Sequence, residues 1–248
     1  MDYQKKLHEL IPGGAHTYSR GDDQYPDNAP AILTHGNGCN VWDANKRKYL
    51  DYGMGLRSVS IGYGHKRIIN AALAQMEKGN SLTRPSTIEL EAAECFTKLI
   101  PGAEMVKFAK NGSNVTTAAI KLARAYTNKK YIAVCSDHPF FSFDNWFIGS
   151  TVVNRGIADE EKKLTIKFDY NDASSLNELF NKYNNDIAAV IMEPATNIPP
   201  IHDCINCTQI KKCNCENTFL HQVRKICDLN ESIFILDEMI TGFRWDLK

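Results

Sequence analysis

Ile187-Ala188-Ala189-Val190-Ile191-Met192 and Ile233-Phe234-Ile235-Leu236 are unbroken apolar runs of strand length, and each ends on a carboxylate, at Glu193 and at Asp237-Glu238. A strand with one wet face alternates apolar and polar residues; a run without alternation is covered on both faces, as in a parallel sheet between helical layers. Helical periodicity fills Phe219 to Leu229 between the two runs and residues 176–183 before the first. Further upstream, Tyr131–Cys135 is another apolar run, residues 116–126 read as a helix, and residues 105–109 as a short strand. This alternation predicts an α/β architecture with a mostly parallel sheet flanked by helices.

The beginning of the chain has a different texture. Asn40-Val41-Trp42-Asp43 and Lys48-Tyr49-Leu50-Asp51 flank Asn45-Lys46, the pattern of a hairpin. Gly53, Gly55, Gly62 and Gly64 then punctuate a loop. Ile69, Leu73 and Met76 define one helical face that stops at Gly79. Ser86-Thr87-Ile88-Glu89 has capping-box spacing, and the helix it opens carries Ile88, Ala92, Phe96 and Leu99 before Pro101 ends it.

Charge excludes some partners. Lys plus Arg equals Asp plus Glu at 29 each, so no net field draws the chain to nucleic acid or to a membrane surface. No apolar run reaches the roughly 18 to 20 residues of a spanning helix, and the opening Met1-Asp2-Tyr3-Gln4-Lys5-Lys6 leads into no apolar leader segment. Eight cysteines without a secretion signal fit a reducing compartment, and a cytoplasmic protein is expected.

Three constellations carry chemistry. In Lys110-Asn111-Gly112-Ser113-Asn114, between strand and helix, glycine admits an anion close to the backbone and serine offers a hydroxyl. A polar turn with a helix cap would use the same residues, but the place, after a strand of an open α/β sheet, is where ligands bind. Asp237-Glu238 ends a buried strand, where a carboxylate calls for a cationic partner; a protonated pyridine nitrogen, a magnesium ion or an arginine would each serve. Glu193-Pro194 closes the other strand and by itself reads as a terminating turn.

In order and spacing these stretches resemble the class III aminotransferases, and the resemblance runs over nearly the whole chain. Asn111-Gly-Ser-Asn-Val-Thr-Thr-Ala-Ala-Ile-Lys-Leu-Ala-Arg124 is similar to that family's phosphate loop and helix, Asp186-Ile-Ala-Ala-Val-Ile-Met-Glu-Pro194 to its Glu-Pro strand, and Leu236-Asp-Glu-Met-Ile-Thr-Gly-Phe-Arg244 to its cofactor-aspartate strand. Ile11-Pro-Gly-Gly14 with Arg20, and the Thr-Gly-Phe-Arg ending, resemble the glutamate-1-semialdehyde aminomutase branch. The resemblance implies the fold type I of pyridoxal-5′-phosphate (PLP) transferases. It implies that Gly112 and Ser113 hold the PLP phosphate and that Asp237 keeps the pyridine nitrogen protonated, making the ring an electron sink. Met239 would pack on the ring, Phe140 would stack on it, Glu193 would lie near the cofactor and substrate amino group, and Arg20 is a candidate for a substrate carboxylate. Small amino donors and acceptors and a homodimer are implied with it. Phe140-Phe141-Ser142 stands where the family usually has Tyr-His-Gly, and Asn114 where an acidic residue is common. Those departures fit relatives acting on an amino or keto compound other than glutamate-1-semialdehyde.

The same resemblance divides the chain into residues 1–55, a segment of the small domain, and 56–248, the PLP-binding large domain. The family's Schiff-base lysine lies well beyond the cofactor aspartate, and Lys248 follows Asp237 too closely to be it. The expectation is therefore an N-terminal fragment, its large domain incomplete, that lacks the catalytic lysine and does not turn over. The competing reading is a non-catalytic PLP- or partner-binding module with a structural zinc loop.

Cys204-x2-Cys207-x5-Cys213-x-Cys215 gathers half of the eight cysteines. Four thiolates can hold Zn²⁺ tetrahedrally and C-x2-C is a knuckle spacing, but the gap between the pairs is short and C-x-C is an unusual half. Free thiols on a surface insertion are the favoured reading, and no metal site is assigned. Metal analysis of the purified chain checks this: free thiols predict no stoichiometric zinc, whereas about one zinc per chain with Zn–S near 2.3 Å would overturn it.

Overall fold

The computed structural model describes residues 2–137, 140–201 and 218–244, and the chain divides into two units between Thr87 and Ile88. The first unit opens with α1 (Tyr3–Leu10), capped by the Asp2 side chain accepting from Lys5 N. A three-stranded antiparallel sheet follows, of β1 (Leu33–Asn37), β2 (Asn40–Asp43) and β3 (Lys48–Leu50), then α2 (Lys66–Met76). The β2–β3 pair is the hairpin expected from sequence. Its turn is organised by one carboxylate: Asp43 accepts from Asn45 N and Arg47 N, both at 2.8 Å, and from the Tyr49 hydroxyl at 2.9 Å. Tyr63 closes the following loop back on the sheet through a two-way backbone bridge with Gly38. Its hydroxyl donates to Asp51 at 2.6 Å, and that bond, with burial, pushes it up to about 12. The apolar face expected on α2 is there, but none of its residues is buried.

The second unit begins with α3 (Thr87–Leu99) and α4 (Gly112–Thr127). It continues with β4 (Tyr131–Cys135), two single-turn helices α5 (Asn145–Ile148) and α6 (Asp159–Lys162), and β5 (Thr165–Phe168). Then come α7 (Ala173–Lys182), β6 (Ile187–Met192), α8 (Phe219–Leu229) and β7 (Ile233–Leu236). The four strands form one sheet in the order β5-β4-β6-β7, parallel at every pairing. This is the α/β class with a mostly parallel sheet that the apolar runs predict.

The side chains show why the runs do not alternate. On one face, Ala133, Cys135, Val190 and Met192 meet Leu176 and Phe180 of α7 and Phe219 and Val223 of α8. On the other, Ile132, Val134, Ala189 and Ile191 meet Ile120 and Ala123 of α4 with Phe141, Trp146 and Phe147. Every residue of β6 is buried, and each large aliphatic side chain so placed contributes roughly 1.5 to 3 kcal/mol.

One expected element is absent. Residues 105–109 have strand-like composition but form no strand; Met105 is 90 % exposed and Phe108 is exposed too. A strand exists only through ladder bonds to a neighbour, and among the described residues no strand pairs with this stretch. Conversely β1, β5, α1, α5 and α6 went unread. The helix expected from residue 116 begins four residues earlier, because Asn111 caps it: its side chain accepts from Asn114 N at 3.0 Å, a cap of about 1 kcal/mol. The four-cysteine loop, Cys204 to Cys215, lies outside the described residues.

Two further thiols test the layering. Burial pushes the thiols of Cys135 and Cys227 up to about 12, whereas Cys39 and Cys95 are exposed. Since the thiolate is the reactive form, iodoacetamide at mildly alkaline pH should label Cys39 and Cys95 in the folded chain and spare Cys135 and Cys227 until denaturant is added. Peptide mapping that finds Cys135 labelled as fast as Cys39 would contradict a covered sheet.

Candidate functional site

Parallel strands present their carboxyl ends on one side, and in this unit that side collects polar residues. Met192 and Leu236 are partners in the β6–β7 register, so the next residue of each strand, Glu193 and Asp237, emerges side by side. The join is tight: Asp237 N donates to Met192 O at 2.9 Å. Glu193 is 8 % exposed, and Asp237 is half-buried. Asp237 also shapes the chain beyond it, since its Oδ1 accepts from Met239 N at 2.9 Å. The turn then runs through Thr241 to Arg244, with Gly242 N donating to Glu238 O at 2.8 Å. A Cβ on Gly242 would lie 2.8 Å from that same oxygen, so only glycine permits this approach.

Met239 connects this turn to the other constellation. A Cβ built on Gly112 would meet the Met239 methyl carbon at 2.6 Å. The Asp237 turn and the first residue of α4 are therefore in contact, and glycine at 112 leaves the space that the methionine tip occupies. Gly112 and Ser113 are the first residues of a 16-residue helix, whose N-terminal N–H groups and dipole favour an anion.

Ser113 is buried and its hydroxyl oxygen accepts from Phe143 N at 3.2 Å. That bond is one of several fastening residues 140–146 to α4. Thr116 Oγ1 lies 3.1 Å from Phe141 O, to which it donates. Thr117 Oγ1 donates to Asp144 Oδ2 at 2.5 Å and accepts from Trp146 Nε1 at 2.8 Å. Phe141 is buried and Phe140 is 54 % exposed, both edge-on to Phe147 with centroids 5.5 and 5.8 Å away. The exposed ring of Phe140 thus packs on Phe147, at the start of the segment that α4 fastens.

Tyr170, which sequence reasoning passed over, belongs here as well. Its hydroxyl donates to Pro194 O at 3.0 Å, and burial, with the nearby Cys135 and Glu193, pushes it up to about 12. It stays a neutral donor that braces the turn behind Glu193. Thr117, Asp144 and Trp146 were equally unread; no local spacing marks partners 25 to 29 residues apart. Arg20 belongs to the first unit, where it ends the exposed turn Tyr18–Arg20. Among the described residues no group of three or more His, Cys, Asp or Glu side chains could hold a metal ion, and no helix is long and apolar enough to cross a membrane.

Residues 22–244 match the family model described as aminotransferase class-III. The glutamate-1-semialdehyde 2,1-aminomutase of Francisella philomiragia is 30 % identical over 251 residues, covering 98 % of this chain and 55 % of the relative. That of Aquifex aeolicus is 30 % identical over 254 residues, covering 98 % and 56 %. Among solved structures, the PLP internal aldimine form of the Sphingopyxis sp. MTA144 FumI protein superposes with a TM-score of 0.82 at 30 % identity, over 98 % of this chain and 55 % of that one. A glutamate-1-semialdehyde-aminomutase from Pseudomonas aeruginosa PAO1 shares the fold, with a TM-score of 0.76 at 18 % identity, over 96 % and 51 %. The chain spans about half the length of the curated relatives it matches. With the family model spanning both the α4 loop and the Asp237 turn, this chain belongs to the class III aminotransferases.

Proposed function

We propose that the chain holds PLP for an aminotransferase or aminomutase of the glutamate-1-semialdehyde aminomutase type, acting on a small amino or keto compound. The observation that carries this reading is the meeting of the α4 N-terminus with the Asp237 turn through Gly112 and Met239. A phosphorylated, protonated heteroaromatic needs an anion cradle and a carboxylate held a ring's breadth apart, with apolar groups between. Gly112 and Ser113 offer the cradle, Asp237 the carboxylate, and Met239 and Phe140 the apolar flanks.

In this reading Ser113 is an oriented donor. Its oxygen already accepts from Phe143 N, which leaves its proton for a phosphate oxygen. Asp237 holds a proton on the ring nitrogen, and Met239 N, bonded to one carboxylate oxygen, keeps that carboxylate from rotating. Bound PLP supplies the electron sink for bond breaking next to the substrate nitrogen. Glu193, at the neighbouring strand end, is placed for the substrate amino group, with Tyr170 steadying the turn behind it. Phe140 can cover a ring but carries no hydroxyl, so proton handling on that face falls to other groups. This supports a substrate other than glutamate-1-semialdehyde. A homodimer, Arg20 as the binder of a substrate carboxylate, and a cytoplasmic location are further parts of the proposal, and they rest on the family resemblance.

Equilibrium dialysis of the 248-residue chain against PLP tests the cofactor assignment without relying on turnover. Ser113→Ala and Asp237→Ala each remove a hydrogen bond to a charged group, worth about 1.5 to 3 kcal/mol, and should weaken retention roughly tenfold to a hundredfold. Retention equal in wild type and both variants would remove these residues from the site. Where the wild-type protein transfers amino groups, Asp237→Ala should lower that transfer by orders of magnitude; undiminished transfer would remove Asp237 from the chemistry.

A further inference from the structure

The amino ends of the strands, opposite the proposed cofactor site, carry a concavity of their own. A cavity of about 500 Å³ opens beside edge strand β5 and the C-terminus of α7. Its walls include Lys163, Lys167 and Lys182, with Tyr131, Leu179 and Tyr183 as the apolar part. Among the described residues no acidic side chain lines it. The two tyrosines are half-buried, with ring centroids 4.6 Å apart, and Lys182 Nζ lies 5.5 Å from the Tyr183 ring centre.

Neighbouring lysines at this end are engaged. Lys130 pairs with Asp186 at 3.1 Å, Lys162 with Asp159 at 3.0 Å, and Lys129 donates to Asn230 O at 2.6 Å. Of the three cavity lysines, Lys163 acts on Asp159 at longer range, and none lies within ion-pair distance of a described carboxylate. Structural roles explain some of them singly. A lysine on an edge strand such as Lys167 deters strand pairing, and a cation in the last turn of a helix, as Lys182 is, suits the helix dipole. Lys163 likewise follows the last turn of α6, where its charge acts on Asp159. These single roles do not account for three cationic residues lining the same hollow.

We propose that this cavity binds a small, multiply charged organic anion of the phosphate-ester or polycarboxylate class. The lysines take the charged groups, while Tyr131, Leu179 and Tyr183 pack against the carbon skeleton. The site is separate from the proposed PLP site, because the strands run between them: Tyr131 begins β4, whereas Glu193 and Asp237 follow the ends of β6 and β7. Occupancy weakens as salt rises, because exposed charges are screened over about 8 to 10 Å at ordinary ionic strength.

Isothermal titration of the 248-residue chain at low ionic strength, with pyrophosphate, citrate and adenosine monophosphate as probes, tests the proposal. The probes separate bare charge, a polycarboxylate and a ring-bearing phosphate ester. At least one should bind with sub-millimolar affinity, and Lys163→Glu should weaken it by roughly tenfold or more. Lys182→Gln, which removes a charge without reversing it, should weaken it less. Ser113→Ala, on the opposite end of the sheet, should leave the lysine-dependent binding unchanged. Both lysines are exposed, and near-ultraviolet circular dichroism confirms folding of the variants. The proposal is overturned if no probe binds below millimolar concentration, or if folded Lys163→Glu and Lys182→Gln bind as wild type does. It is equally overturned if Ser113→Ala alone abolishes binding, which would place the anion at the α4 N-terminus. Lys163→Glu and Lys182→Gln lie outside the proposed cofactor site, so binding lost with them reports this cavity, whereas binding lost with Ser113→Ala reports the α4 N-terminus; the two readings therefore stand or fall separately.

Discussion

A strand covered on both faces has nowhere along its length for a polar side chain, and β6 obeys that constraint at all six of its positions. Chemistry can therefore appear only where the strand ends. Glu193 is the first residue past that limit on β6, and Asp237 the first past it on β7. Their adjacency needs no further device, since parallel neighbours in register release their chains at the same level. The helices that impose the constraint also answer it. α4 covers one face and brings its own N-terminus, with Gly112 and Ser113, to the end where the carboxylates emerge.

The segment 140–146 shows how a loop gains the definition of a regular element. Without a ladder or a helical repeat of useful length, it relies on side chains of α4, with Ser113, Thr116 and Thr117 binding Phe143, Phe141, Asp144 and Trp146 in turn. Ser142, fully buried, accepts from Asp144 N at 3.0 Å and lies 3.3 Å from the Thr117 hydroxyl. Because these bonds come from the first turns of α4, residues 141–146 and the hydroxyl of Ser113 are fixed relative to each other. Fastening a loop to a single rigid body in this way keeps the two at constant separation.

Much of this was legible before any coordinates, for physical reasons that differ by element. The runs at Tyr131–Cys135, Ile187–Met192 and Ile233–Leu236 announce themselves because double burial forbids polar residues. β5 escaped notice because it lies at the sheet edge, where Lys167 interrupts its run. α5 and α6 are single turns of four residues, too short to display a period. Residues 105–109 show the converse: the composition of a strand without a partner to pair with. The early start of α4 follows from the Asn111 side chain, a cap that the glycine beside it concealed. Tyr170 on Pro194 and Trp146 on Thr117 join residues 24 and 29 apart, and such contacts exist only once the layers have assembled.

The methyl group of Met239 sits where a side chain on residue 112 would begin. The two positions are thus a single steric quantity divided between two distant parts of the sequence. A larger residue at 112 is tolerable only if residue 239 shortens or turns away, and a bulkier, stiffer residue at 239 is tolerable only while 112 stays glycine. In descendants of this chain the pair should drift together, each change at one position licensing or forbidding the next at the other. Because the methionine tip is the flexible, exposed end of its side chain and can swing aside, such paired drift is a bias rather than a bar, one that tends to preserve the junction between the α4 N-terminus and the Asp237 turn.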